Sequence, residues 1–138
     1  MSKSSELARL LLSKAAEDIY VLQRLDGDAE APVTVIGFHS QQAVEKSLKA
    51  VLAARGIVYP WTHDLEGLVE LIEDNHIPLP PDAGRLHHLT EFGADLRYGA
   101  VPAETEATPT LDRAWALTCA CRVKAWAESV LREAAEGK

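Results

Sequence analysis

The chain has only two cysteines in 138 residues, which leaves little from which to build a covalent or metal-held framework. Cys119 and Cys121 stand two positions apart, so on a helix they point to different faces and do not bridge each other. Cys-Ala-Cys without partner cysteines is also a poor metal signal, and both residues are read as buried small hydrophobes in a reducing compartment. No apolar run approaches the roughly 20 residues a membrane-spanning helix needs. The opening Met-Ser-Lys-Ser-Ser-Glu carries no secretory-leader hydrophobic stretch, so the expectation is a cytoplasmic protein with no membrane partner. Basic residues are outnumbered, 14 Lys and Arg against 21 Asp and Glu, for a net charge of −7. That excludes general coating of nucleic acid but leaves room for a local basic pocket. There is no glycine-rich phosphate loop and no His-Glu-x-x-His. His87 and His88 are adjacent and diverge by about 100° on a helix, not the spacing that presents two metal ligands. No metal and no cofactor is expected. Strand patterns, internal repeats and low-complexity tracts are absent as well.

What is present is helical periodicity in a chain that is 47% hydrophobic, enough for one domain over residues 1–138 with a core that needs no staples. Ser4 or Ser5 caps a first helix running to about Leu25, with Leu7, Leu11, Ala15, Asp18, Leu22 and Leu25 along one stripe. Asp18 is the odd member, at the stripe's edge or facing something polar. Asp26-Gly27-Asp28 supplies turn chemistry, and the short link past Pro32 makes the first two helices antiparallel neighbours. After the second helix, Thr62 is the expected N-cap of a third, with Asp64 in its first turn and Leu65, Leu68, Val69, Leu71 and Ile72 as its apolar side. Pro78, Pro80 and Pro81 break the chain. Asp82 starts a fourth helix burying Leu86, Leu89 and Phe92. A loop from Gly99 to Pro109 precedes a last helix capped by Thr110 and reaching about Glu136. In it Trp115, Cys119, Arg122, Trp126 and Val130 form one stripe, which reads as core or as a subunit interface.

The second helix, Phe38 to Gly56, organises the rest. One side carries Ser40, Ala43, Ser47, Ala50 and Ala54, all small, which lets another helix come close. The other carries Phe38, Gln42, Glu45, Lys49 and Leu52, with Gln41 and Lys46 on its flanks. The polar groups therefore sit between apolar ones. Glu45 and Lys49 are either an exposed i,i+4 ladder or part of a half-buried polar site.

Three motifs stand in order: Phe-His-Ser-Gln-Gln-Ala-Val-Glu-Lys-Ser-Leu-Lys-Ala at 38–50, Thr-His-Asp-Leu at 62–65 and Leu-Arg-Tyr at 96–98. Together they resemble the small prokaryotic HEPN-domain proteins, over nearly the whole chain. The resemblance implies an all-α fold, a five-helix, mostly up-and-down HEPN bundle, often a homodimer, frequently partnered by a minimal nucleotidyltransferase in a toxin–antitoxin-like module. Gly99 departs from the family's tendency to proline after Arg-Tyr. Many HEPN proteins are metal-independent ribonucleases marked by Arg, four to six residues, then His. None of the arginines here has a histidine at that distance. The expected role is therefore binding of a nucleotide or RNA, or of the nucleotidyltransferase, with no catalytic residue assigned. The candidate site is Gln42, Glu45, Lys46, Lys49, His63, Asp64, Arg97 and Tyr98, in which Lys49, His63 and Arg97 converge. The competing readings are a purely structural polar network and a divergent ribonuclease using His63 with Arg97.

Overall fold

The computed structural model describes residues 2–93 and 110–136 of the chain. The Gly99–Pro109 loop and the Leu96-Arg97-Tyr98 motif lie outside the described residues. The fold is all-α: α1 (Lys3–Leu25), α2 (Val33–Ala54), α3 (Leu65–Asp74), a 3-10 segment (Leu86–Phe92) and α4 (Arg113–Glu136). No strand occurs among the described residues.

Contacts between these elements fix their directions. Ala8 clusters with Ala50 and Ala53, whereas Ile19 and Leu22 cluster with Ile36 and Ala43, so α1 runs antiparallel to α2. Ala116 and Ala120 share the cluster of Ile36 and Ala43, while Leu131 packs with Ala50 and Ala53, so α4 runs the same way as α2. The small face of α2 is what admits this packing. Ser40, Ala43, Ser47 and Ala50 are all fully buried. The main core lies on another side of α2, where Val44, Leu48, Val51 and Leu52 meet Leu65, Leu68 and Ile72 of α3, Leu86 and Leu89, and Cys119, Val123 and Ala127 of α4.

Several local expectations shift. The buried face of α1 is Ala8, Ala15, Asp18, Ile19 and Leu22, and Leu7 is exposed. Small residues meet the small face of α2, and a leucine at that contact would hold the helices apart. Ser2 caps α1, accepting from Ser5 N at 3.0 Å. Asp64, not Thr62, caps α3, and Asp112, not Thr110, caps α4 through Trp115 N at 3.0 Å. In place of a fourth α-helix starting at Asp82, that residue sits at φ 58 and a 3-10 segment follows. Its apolar residues Leu86, Leu89 and Phe92 recur every three positions, which a helix of three residues per turn lays on one face. Trp115 and Trp126 serve the core edge: they are partly buried against the main cluster and donate through Nε1 to Asp82 and to the Pro78 carbonyl. Arg122, on the stripe between them, reaches Asp82 at 3.5 Å. Cys119 is buried, Cys121 only partly so, and both are free.

Ala50 is fully buried where α1, α2 and α4 meet. Ala50→Leu overpacks that junction and lowers stability by on the order of 1–3 kcal/mol. Denaturant titration reads this as a fall in midpoint at unchanged slope; an unchanged midpoint would mean that the junction yields freely.

Candidate functional site

A Schellman turn ends α2. Gly56 takes φ 70, Ile57 N donates to Leu52 O at 2.9 Å and Gly56 N to Ala53 O at 3.0 Å, while Ile57 and Leu52 share the core. The chain then returns along α2 through residues 57–64 to the start of α3. This return brings His63 beside the middle of α2 at Glu45, which lies one turn from Gln41 and from Lys49.

The centre of the site is Glu45, which is 5% exposed. Its Oε1 accepts from Gln41 Nε2 at 2.8 Å and from His63 Nδ1 at 2.8 Å, and its Oε2 accepts from Lys49 Nζ at 2.8 Å. A carboxylate oxygen only accepts, so Nδ1 of His63 carries the hydrogen. Gln41, wholly buried, also donates to the His63 carbonyl at 3.1 Å and accepts from Gln42 Nε2 at 2.7 Å. Burial alone would push the Glu45 carboxyl up. The hydrogen bonds from Lys49, His63 and Gln41, with the Lys49 charge, outweigh burial and hold it below its ordinary value of 4.5. The Lys49 ammonium lies 5.6 Å from the Tyr59 ring centroid and 5.9 Å from that of Trp61. Burial, then the charge of Glu45, pushes the Tyr59 phenol up.

A second cluster lies between α1 and α2. Asp18, 6% exposed, accepts from Lys46 Nζ at 2.7 Å on Oδ2 and from His39 Nδ1 at 2.8 Å on Oδ1. The polar partner of the odd Asp18 is thus Lys46 with His39.

The structure therefore divides the sequence-derived set. Glu45, Lys49 and His63 converge, and Gln42 joins them one link out through Gln41. Lys46 belongs to the Asp18 cluster, because on α2 it lies about 60° from Lys49 on the side nearer α1. Asp64 is exposed and occupied as a helix cap, accepting from Glu66 N at 3.1 Å. Arg97 and Tyr98 lie outside the described residues. Sequence reasoning did not single out Gln41, Tyr59, Trp61 or His39. Gln41 was legible in principle, because it sits one helical turn before Glu45. Trp61 carried no signal, since an aromatic in a Pro-containing loop is as often buried as exposed. No group of three or more metal-ligating side chains occurs among the described residues, and no helix among them is long and apolar enough to cross a membrane.

The HEPN domain family model matches residues 8–130. That span runs from the first buried residue of α1 to Val130 of α4 and includes both polar clusters. No curated protein and no solved structure matches the chain.

Two outcomes follow for the Glu45 cluster. A carboxyl whose pKa falls on folding adds stability above its unfolded value and loses it as pH falls through the folded value. Thermal unfolding of the parent followed by circular dichroism is expected to lose midpoint steadily as pH drops below 4.5. Glu45→Gln lowers the midpoint at neutral pH and flattens that acid limb; an acid limb as steep as the parent's would move the dependence to other carboxyls. Lys49→Met strands a buried carboxylate and costs about 3 kcal/mol. Lys14, paired with Glu17 at 3.6 Å in the open, serves as the control, and Lys14→Met stays within about 0.5 kcal/mol of the parent.

Proposed function

The chain belongs to the HEPN-domain family, and on that premise we propose that it works by binding rather than by catalysis. In this reading it is the nucleotide- or nucleotidyltransferase-engaging component of a toxin–antitoxin-like module, a homodimer working in the cytoplasm. HEPN domains are associated with toxin–antitoxin modules and with ribonucleases. The observation that carries the binding reading is the rim of the Glu45 cluster. Beside a saturated, buried charge network stands Trp61, 96% exposed, on the same segment as His63. That network holds its members in place. An exposed indole adds nothing to the core and is a common anchor in recognition sites. Calorimetric titration of nucleotides into the protein tests the reading: saturable binding that His63→Ala weakens supports it, and no heat with any nucleotide or with a small nucleotidyltransferase refutes it.

The homodimer draws on a different set of residues. Leu7 and Leu10, about 60° apart on α1, are 42% and 54% exposed. Apolar residues on one helix surface favour burial against a second copy. Light scattering is expected to give twice the 15.0 kDa of the single chain at micromolar concentration; the single-chain mass ends the proposal.

One observation favours the ribonuclease reading with His63 and Arg97. Nδ1 of His63 is held by Glu45 while Nε2 has no partner among the described residues, the arrangement of an oriented general base. RNA cleavage lost in His63→Ala, with the fold intact, would favour that reading over binding.

A further inference from the structure

The segment between α2 and α3 is tied down at both ends and bare in the middle. Ile57 is fixed by the Schellman turn. The His63 carbonyl is held by Gln41, and Thr62 Oγ1 accepts from Asp64 N at 2.9 Å. Pro60 restricts the backbone between them. Yet Val58 is 90% and Trp61 96% exposed, while Tyr59 between them is only partly so. With its backbone anchored on both sides, the segment that carries this exposed indole loses little main-chain freedom on binding a flat ligand.

The charges beside it do not fit a phosphate. The Lys49 side chain is 11% exposed, and its ammonium is bonded to Glu45 Oε2 at 2.8 Å and lies within about 6 Å of the ring centroids of Tyr59, at 5.6 Å, and Trp61, at 5.9 Å. His63 Nδ1 is spent on the same carboxylate. A polyphosphate arriving here would meet a cation already neutralised and a buried anion close behind it. What stays open to solvent is the Trp61 ring, 96% exposed although the Lys49 ammonium lies 5.9 Å from its centroid, and Nε2 of the 38%-exposed His63 side chain, an acceptor in the neutral imidazole.

We propose that Trp61 is a stacking platform for a nucleobase, and that this site reads the base of a nucleotide rather than its phosphates. His63 Nε2 accepts a hydrogen bond from an amino or ring N–H group of that base. The Glu45 cluster is the support: it fixes His63 and keeps Lys49 against the aromatic rings. This inference rests on the nucleotide-binding reading above and narrows it to one part of the ligand.

The test is titration of the full chain with adenosine, ATP and inorganic tripolyphosphate, each at low and high salt, followed by calorimetry and tryptophan fluorescence. Adenosine and ATP are expected to bind with similar affinity that salt changes little, tripolyphosphate not at all. Trp61→Ala is expected to weaken both by roughly ten-fold or more with an unchanged unfolding temperature, and Trp61→Phe to recover part of the loss. ATP binding without adenosine binding, or tripolyphosphate competing with ATP, overturns base reading while nucleotide binding stands. Binding of neither adenosine nor ATP, nor of the guanine, cytosine and uracil nucleosides and triphosphates in the same titration, removes the nucleotide reading, and this inference with it. Trp61→Ala binding adenosine as the parent does overturns the platform. A Trp61→Ala protein that binds nucleotide normally but has lost its dimer mass assigns the indole to a protein contact instead.

Discussion

Everything around the site depends on keeping one buried carboxylate satisfied. Glu45 sits at 5% exposure in the middle of the central helix, where an ionised group with no partner would be costly. It is tolerated because three donors reach its two oxygens at 2.8 Å. Two of them, Gln41 and Lys49, come from the same helix, one turn before and one turn after. The third, His63, comes from the returning chain. Geometry within α2 thus supplies most of the compensation, and the remainder fixes where the return must pass. The Schellman turn at Gly56 reverses the chain, and the Glu45–His63 bond sets its course along the helix.

The same helix uses the same device on another flank. Asp18 of α1 is as buried as Glu45 and is likewise paired with one lysine and one imidazole, here Lys46 and His39 of α2. One carboxylate is on α2 and draws in a loop; the other is on α1 and is drawn in by α2. Both links are lateral and directional, where the alanine-rich contacts between the helices are neither. Small residues permit close approach at many rotations and offsets. Paired charges that must meet within hydrogen-bonding distance permit few, because a slip by one residue strands an ion. Apolar packing accounts for the adhesion of α1 and α2, and the Asp18 contacts restrict their register.

Helix periodicity was legible because it repeats: the apolar side of α3 and the small face of α2 both follow from spacing in one dimension. The central polar stripe was legible only as an anomaly, polar residues between apolar ones, and its pairing needed the third dimension. Lys46 and Lys49 look equivalent in the sequence, with Gln42 and Glu45 respectively one turn earlier, yet they separate to different carboxylates because three residues on a helix turn a side chain by about 300°. The 3-10 segment could not be told from an α-helix by burial pattern, since Leu86, Leu89 and Phe92 fit the i,i+3 spacing of both. Caps were misplaced by two residues at α3 and α4 because Thr62-His-Asp64 and Thr110-Leu-Asp112 each offer two competent cap residues. In both cases aspartate, the stronger acceptor, holds the position. Trp61 was not legible, because nothing in the chain distinguishes an aromatic that faces solvent from one that turns inward.

This division between a saturated interior and an unsaturated rim separates what folds the protein from what it can recognise. Glu45, Lys49 and Gln41 are committed: every change there alters a buried balance, so binding effects at those positions are entangled with stability. Val58 and the outer nitrogen of His63 have no partner among the described residues, and Trp61, 96% exposed, meets the network only through the Lys49 ammonium 5.9 Å from its ring centroid. A site arranged in this way has its specificity in residues that are cheap to vary and its geometry in residues that are not. Under the proposed binding function, ligand preference can drift at the rim while the anchored segment beneath keeps its course, with the charge network serving as support.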